Sequence, residues 1–474
     1  MRVGEGQDAR PGGGAHSPPE AAGGGVGTFA SFAVRDFRFL FASGVASGFG
    51  MQMMMISRGV LAWDLTESFA ITGMLSLSFG IPMLLLALVG GAVADRIDRR
   101  WLAIATQSGN TLIALTTAVL ISTGLINVPL LFAIGLVQGA MFAFMMPSRQ
   151  ALLADVVPQH QLMNAIALNT SVQAGSTIAG PALAGALIAL GGTALSFYAQ
   201  AVLGLGGLAT LLPLSRRPVT AAARAARRNV FREIRGGLGY LVGTRPLLIL
   251  LIMAMVPAIF GMPYQVLLPG FATEELGNQS LFATMLTISG VGSLAGSFLL
   301  ATLTEVRRKA ALQLAFGVGI GSGLLMLGIG SRVAGVPAAL AASFVIGFSM
   351  MTYQMLNNTM LMSAADPRYM GRVMSIVMLS FSLGPLMGWP MGIVADHVGA
   401  DTVFVGLGVA VLGFLTLMAV AQPGHMFGAA PARAPARDVP PNPAGDHGDG
   451  RSDEPDASGG AAGGTPEPAS VTRG

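Results

Sequence analysis

Polar and charged side chains lie inside several long apolar runs of this sequence, and they are the residues best suited to bind a ligand. Two of them are arginines, and the others are amides and tyrosines. A polar group in apolar surroundings costs free energy, so it usually faces a cavity or another helix. The enrichment falls in every third run and comprises Gln52, Arg58, Gln138, Arg149, Gln150, Tyr264, Gln265, Tyr353, Gln354, Asn357 and Asn358.

These residue types are suited to binding a ligand rather than to catalysing a reaction. The chain has no cysteine, its five histidines are scattered without the spacing of metal ligands, and no Asp or Glu lies in the middle of an apolar run. We therefore expect neither an enzyme nor a site for a metal or cofactor. Arginines and amides favour a neutral, amphipathic or anionic ligand over a cation.

Each of these residues also has a structural interpretation. Glutamine and asparagine often hydrogen-bond neighbouring helices inside a membrane. Arg58 lies less than two helical turns before Asp64, so it could extend outwards as an anchor. Arg149 could pair with Asp155 or with an acid in a neighbouring loop. The recurrence in every third run favours a shared cavity.

The composition places the apolar runs in a lipid bilayer. Hydrophobic residues make up 53% and charged residues 11% of the 474 positions, against roughly 25% charged residues in soluble chains. A membrane-spanning helix needs about 20 apolar residues. The sequence thus predicts an all-α integral membrane protein with twelve transmembrane helices, numbered here as spans 1 to 12, at 38–63, 70–93, 101–124, 128–153, 163–189, 193–214, 247–271, 279–303, 309–330, 335–363, 372–396 and 402–422.

Basic residues in the loops predict the orientation. Lysine and arginine are enriched on the cytoplasmic side of membrane proteins, and in the opposite loops of this chain only Arg332 is basic. Both termini are therefore expected in the cytoplasm, and the positive charge is read as a topology signal, with no nucleic acid as partner. The cytoplasmic set is Arg35, Arg38, Arg96, Arg99, Arg100, Arg216, Arg217, Arg224, Arg227, Arg228, Arg232, Arg235, Arg245, Arg307, Arg308, Lys309, Arg368 and Arg372.

The chain divides into two bundles with a linker and two tails. The tails are low in complexity and are expected to be disordered. The predicted segments are a tail at 1–33, a six-helix bundle at 34–214, a basic cytoplasmic linker at 215–245, a second six-helix bundle at 246–423 and a tail at 424–474.

The two bundles look like diverged copies. Gly91-x-x-x-Asp95 is echoed by Ala301-x-x-x-Glu305, and Gly180-Pro181 is echoed by Gly384-Pro385. Two parallel six-helix repeats around a central site are a transporter architecture.

The loop between spans 2 and 3 reads Gly91-x-x-x-Asp95-Arg96-x-Asp98-Arg99-Arg100. With the twelve spans and the basic linker, it resembles the loop signature G-x-x-x-D-R/K-x-G-R-R/K of the major facilitator superfamily, with Asp98 in place of glycine. The resemblance implies two six-helix pseudo-repeats that work by alternating access. It also implies that Asp95 faces the start of span 11 near Arg372, as a latch between the halves.

Other stretches refine this resemblance. Gly180-Pro181-Ala-Leu-Ala-Gly185 in span 5 is similar to the signature of the family's exporters, except at Ala184. Pro147-Ser-Arg149-Gln150 and Gly371-Arg372-Val-Met-Ser375 look like the enterobactin-exporter-like branch. The family's span 4 carries an arginine three residues before Gln138-Gly139, where this chain has Gly135, so the resemblance does not extend to a proton route there.

The resemblance implies a secondary transporter of the bacterial inner membrane that exports a small amphipathic molecule, neutral or anionic and siderophore-like or drug-like. Its expected partners are that substrate, the lipid bilayer and, as a candidate, a coupling proton, and the protein is expected to be a monomer. An importer or uniporter of the same fold is one alternative. A non-transporting receptor or an accessory protein of secretion is another.

Asp95→Asn should reduce transport while the protein still inserts into the membrane. A carboxylate at the start of a helix gains about 0.3–1 kcal/mol from the helix dipole, and the amide loses most of that attraction. The measurement is efflux from cells that hold equal amounts of the two proteins in the membrane. Full activity of the variant would refute the latch.

Overall fold

The computed structural model describes residues 29–94, 98–215, 243–302, 308–366 and 383–421. Within these ranges the secondary structure is helical throughout, and no strand occurs in them. Among the described residues, ten helices are long and apolar enough to cross a membrane. The prediction of an all-α integral membrane protein is therefore confirmed.

The helices follow the predicted spans to within a few residues at most ends, and every predicted span has a helical counterpart in the described ranges. Span 1 is Arg35–Thr66, span 2 Phe69–Ala94, span 3 Arg99–Ser122, span 4 Val128–Val156, spans 5 and 6 Leu162–Leu211, span 7 Arg245–Val256 with Tyr264–Glu274, span 8 Ser280–Thr302, span 9 Lys309–Leu325 with Ser331–Ala334, span 10 Val336–Ala364, span 11 Leu383–Val398 and span 12 Ala400–Ala421. Because span 11 is described only from Leu383, the count of twelve complete spans stays a prediction.

Spans 5 and 6 are joined without a loop, and two glycines separate them. Gly191 and Gly192 leave the helical region of backbone space, and Gly192 has a φ of 71°. Glycine adopts a positive φ without the steric penalty of a side chain. The segment therefore covers two spans rather than one long helix.

Span 7 is interrupted by a π-helical turn at Pro257–Gly261. Proline has no backbone N–H and its ring clashes with the preceding turn, so it displaces the regular hydrogen-bond pattern of a helix. Span 7 consequently consists of two shorter helices on either side of Pro257.

The two halves show the same pattern of neighbours. Span 2 packs against span 4 and span 3 against spans 4 and 6, while span 8 packs against span 10 and span 9 against spans 10 and 12. Across the halves, span 2 packs against span 11 and span 5 against span 8. Such a pattern is expected of a repeated six-helix unit.

Glycines bring the backbones of the two halves into contact. A Cβ added at Gly73 of span 2 would lie 2.8 Å from the Cα of Trp389 in span 11. A Cβ at Gly290 of span 8 would lie 2.8 Å from the carbonyl oxygen of Thr177 in span 5. Small residues permit such close approach of helices in a membrane.

The folded part begins earlier than the predicted boundary at residue 34. Ala30–Ala33 form a 3-10 helix in which Ser31 is fully buried. The Ser31 hydroxyl donates to Asn164 Oδ1 at 2.8 Å, which ties this turn to the start of span 5. The rest of the predicted tails, the central part of the predicted linker, Asp95, Arg96, Glu305 and Arg372 lie outside the described residues.

Candidate functional site

Arg58 turns into the amino-terminal bundle rather than outwards to the membrane surface. Its Nη1 donates to Gln138 Oε1 at 3.1 Å, and its Nη2 donates to the Leu75 carbonyl at 2.7 Å and to Ser78 Oγ at 2.6 Å. The interpretation of Arg58 as an outward anchor is therefore wrong. The guanidinium instead joins spans 1, 2 and 4.

Gly135 provides the space for this guanidinium. A Cβ at position 135 would collide with Ser78 Oγ and Arg58 Nη2. This is the position at which the family signature carries an arginine. In this chain Arg58 of span 1 places its guanidinium beside Gly135 of span 4.

Arg149 bonds to serines and not to the acid that the sequence suggested. Its Nη1 donates to Ser47 Oγ at 2.6 Å, and its Nη2 lies 3.4 Å from Ser43 Oγ. Asp155 Oδ1 instead accepts from Arg99 Nη1 at 2.7 Å. The Ser47 hydroxyl donates a hydrogen bond to Gln107 Oε1 at 2.7 Å. Through Ser47, Arg149 is therefore connected to span 3.

A cleft inside the amino-terminal bundle is lined by Gln138 and Ser47, the partners of the two arginines, whereas neither arginine is part of its wall. Its enclosed space is about 60 Å³, enough for a few water molecules, and the cleft is partly open to the surroundings. Its walls come from spans 1, 2, 3, 4 and 6 and combine amides with thioethers and phenyl rings: Ser47, Met51, Met54, Phe79, Gln107, Asn110, Gln138, Phe142, Met145 and Gln200.

The predicted residues of the carboxy-terminal half bond within that half. Asn357 is buried and its Oδ1 accepts from Gln313 Nε2 of span 9 at 2.9 Å. Tyr264 is buried within hydrogen-bonding reach of Ser289 in span 8. Gln265, Gln354 and Asn358 are partly exposed. A cavity shared by spans 1, 4, 7 and 10 therefore stays a prediction.

The exporter-like stretch of span 5 contacts both halves. A Cβ at Gly180 would lie 2.5 Å from the Cβ of Gln52 in span 1, and a Cβ at Gly185 would collide with Ala283 of span 8. Pro181 is buried within the helix. Gln52 thus packs against span 5.

The described part of the loop between spans 2 and 3 is bound to the amino-terminal half. Asp98 Oδ1 accepts from the Arg100 backbone N–H at 2.9 Å, so this carboxylate caps the start of span 3. Arg99 pairs with Asp155 at the end of span 4, and Arg100 donates to the Leu212 carbonyl after span 6. Asp98, the departure from the family signature, therefore has a local structural role.

Asp396 of span 11 joins the two halves. Its carboxylate accepts from the Ser68 hydroxyl at 2.7 Å and from the backbone N–H groups of Phe69 at 2.6 Å and Ala70 at 3.1 Å. Unpaired N–H groups at a helix start attract a negative charge. The carboxylate of one half therefore caps span 2 of the other half, and Gln279 of span 8 bonds Asp64 of span 1 nearby.

A second acid at the same end of the helices stays within the carboxy-terminal half. Asp401 pairs with Arg332 at the end of span 9. Partial burial and the Asp401 carboxylate raise the pKa of the neighbouring Glu275, while Arg332 acts in the opposite direction. Asp401 therefore differs from Asp396, because its partner does not cross between the halves.

Sequence reasoning missed Ser47, Gln107, Asn110 and Asp396. Gln107 and Asn110 are amides within the apolar run of span 3, and this was the available signal. Span 3 does not belong to the set of every third span, so that pattern did not indicate these amides.

Solved structures of similar architecture identify the fold. The nucleoside transporter NupG superposes with a TM-score of 0.62 at 15% sequence identity, over 83% of this chain and 99% of that one. A D-xylose-proton symporter superposes with a TM-score of 0.61 at 16% identity, over 80% of this chain and 96% of that one. The protein has the fold of the major facilitator superfamily of transporters.

A family model narrows the class further. The model described as "Transmembrane secretion effector" matches residues 26–432, so the chain belongs to this family of major facilitator transporters. It is 24% identical to the uncharacterized MFS-type transporter YfiS of Bacillus subtilis, over 73% of this chain and 83% of that one.

Two further relatives have named substrates. The chain is 23% identical to the staphyloferrin A transporter of Staphylococcus aureus, over 70% of this chain and 82% of that one. It is also 23% identical to macrolide efflux protein A of Streptococcus pyogenes, over 73% of this chain and 86% of that one.

Gly135→Ala should destabilise the protein by displacing Arg58. Overpacking inside a well-packed structure typically costs about 1–3 kcal/mol. The measurement is thermal unfolding of the purified protein in detergent. Gly206→Ala is the matched control, because a Cβ at Gly206 meets nothing within 4 Å. Equal unfolding temperatures for the two variants would contradict the role given to Gly135.

Asp396→Ala should loosen the contact between spans 2 and 11, because three donors at the start of span 2 lose their acceptor. The chain has no native cysteine. A Thr72→Cys substitution therefore introduces a single thiol, and Thr72 is a buried residue of span 2. We expect faster maleimide labelling of that thiol in the Asp396→Ala background. Asp401→Ala serves as control, since its partner Arg332 lies in the same half. Equal labelling rates in all backgrounds would show that Asp396 does not hold the halves together.

Proposed function

We propose that the protein exports a small amphipathic molecule, neutral or anionic, across the bacterial inner membrane by alternating access of its two halves. The observation that carries this proposal is the state of Arg58 and Arg149. Both guanidinium groups lie inside spans and bond to neutral acceptors, and among the described residues neither forms an ion pair.

The positive charge of these two arginines affects which substrates the interior favours. Together with the absence of acids from the middle of the spans, they give the interior a positive potential, which disfavours a lipophilic cation. A siderophore-like or drug-like substrate of the enterobactin-exporter-like branch agrees with this potential. The relative named for staphyloferrin A supports a siderophore-like substrate, and its name does not decide the direction of transport.

Alternating access requires contacts that form at one end while others break. Asp396 and Asp64 supply such contacts between the halves at one end, and we place the second set at Asp95 and Arg372 on the cytoplasmic side. Both termini are assigned to the cytoplasm by the basic loops, and the transporter is proposed to work as a monomer. A coupling proton remains part of the proposal, with no carrier assigned.

The test is transport by purified protein in proteoliposomes under an imposed pH gradient. The panel contains a carboxylate siderophore, a neutral lipophilic drug, a cationic dye and a sugar, with protein-free liposomes as control. We expect gradient-dependent movement of the siderophore or the neutral drug and little movement of the dye. Preference for the dye would refute the proposal, and equilibration without the gradient would identify a uniporter.

A further inference from the structure

Tyr353 of span 10 is one of the polar residues inside the apolar runs, and the proposed function assigns it no role. It is fully buried, and its hydroxyl donates to the Met253 carbonyl of span 7 at 2.8 Å. In a regular α-helix a backbone carbonyl accepts from the N–H four residues later. A carbonyl that accepts from another span therefore points to a missing donor within its own helix.

Met253 lacks its regular partner because residue 257 is proline. Pro257 follows Met253 by four residues, and proline has no backbone N–H. A buried carbonyl without a donor costs free energy comparable to a lost hydrogen bond. Span 7 changes to its π-helical turn at Pro257–Gly261. The Tyr353 hydroxyl thus supplies a donor at the point where the regular helix ends.

The ring of Tyr353 is held by close packing against span 9. A Cβ at Gly317 of span 9 would lie 3.2 Å from the ring atom Cε2. One turn further along span 10, Asn357 Oδ1 accepts from Gln313 Nε2 of span 9 at 2.9 Å. Spans 9 and 10 therefore fix the position from which the hydroxyl reaches Met253.

The break divides span 7 into a first segment, Arg245–Val256, and a second segment, Tyr264–Glu274. The first segment shares an apolar cluster with span 10 in the carboxy-terminal half. This cluster comprises Leu247, Leu250, Leu251, Met360, Leu361 and Ala364. The second segment also reaches the amino-terminal half, since a Cβ at Gly270 would collide with the rings of Trp63 and Phe69. The two segments of one span therefore serve different interfaces.

The turn between the segments is suited to bending. Pro257 and Pro263 each remove a backbone N–H from it, and helices kink at prolines and at π-helical turns. Span 11 approaches the turn through a glycine. A Cβ at Gly384 would lie 3.0 Å from Met262 Cβ and 3.6 Å from the Ala258 carbonyl oxygen. A change of angle at this turn moves the second segment against the amino-terminal half and leaves the first segment in place.

We propose that Tyr353 is a positioning residue of the transport cycle. Its hydroxyl replaces the N–H that Pro257 lacks and so holds the first segment on span 10, while the second segment bends at the turn to make and break its contact with the amino-terminal half. This role rests on the proposed export function, because alternating access requires that contact to break.

The first test is a double-mutant cycle in thermal unfolding of the purified full chain in neutral detergent. Tyr353→Phe keeps the ring and removes the donor, and we expect it to lower the unfolding temperature by about 2–4 °C. In the Pro257→Ala background this shift should fall to about half or less, because alanine supplies the missing N–H. Pro257→Gly supplies it as well and serves as the second variant. Tyr198→Phe is the matched control, since its hydroxyl bonds Ser122 in the other half and its effect should be equal in both backgrounds.

The second test separates a hinge from a bond that only stabilises the fold. Ala272→Cys places a single thiol at a buried position of the second segment, and Ala364→Cys places one at a buried position of span 10 beside the first segment. Pro257→Ala should speed maleimide labelling at Ala272→Cys at least about fivefold, the lower end of typical coupling between two sites. Labelling at Ala364→Cys should not change. Transport should fall by a similar factor in Pro257→Ala and in its combination with Tyr353→Phe, although the combination no longer needs the hydroxyl.

An equal effect of Tyr353→Phe with and without Pro257 would overturn the pairing of hydroxyl and proline. Unchanged labelling at Ala272→Cys, or an equal rise at both thiols, would overturn the hinge. If Pro257→Ala exports the panel as fast as the wild type, the positioning role fails while the export function stands. If the cycle and the labelling give the expected results but no member of the panel moves, the export function fails while the hinge stands.

Discussion

The contact between the two halves is the interaction on which the rest of the structure depends. In lipid, helices gain no hydrophobic free energy from association, so packing and hydrogen bonds must hold them together. Here the halves touch through backbone at Gly73, Gly290 and Gly392, where a Cβ would meet main-chain atoms of the opposite half. The Asp396 carboxylate adds one polar contact at the start of span 2. Such an interface brings the two backbones close enough for specific packing.

The scarcity of charge within the spans gives each guanidinium a clear consequence. Arg58 is stabilised by three acceptors from spans 2 and 4, and so it links spans 1, 2 and 4 of the amino-terminal bundle. Arg149 bonds to the Ser47 hydroxyl and lies 3.4 Å from the Ser43 hydroxyl. The protein therefore supplies fewer close acceptors to Arg149 than to Arg58.

The sequence predicted the fold well because membrane spans are set by apolar length and by the positions of basic loops, both of which are local properties. Partners across space were harder to predict. Arg58 and Gln138 are far apart in the chain, and their bond depends on how spans 1 and 4 face each other. The break at Gly191 and the 3-10 turn at Ser31 depend on local backbone and on Asn164, and neither changes the apolar pattern. Asp98 looked like a defect of a signature, whereas its role as a helix cap follows from the backbone N–H of Arg100.

Gly135 shows why a family signature should be compared in space as well as along the chain. At that position the signature has an arginine, and the sequence alone suggested that the charge had been lost. The structure instead has Arg58 of span 1 in the volume beside Gly135, bonded to Gln138 three residues further along span 4. A positive charge is therefore present beside this position of span 4, although it belongs to span 1. Gly135 and Arg58 pack together across two helices, and the substitution of either is expected to affect the other.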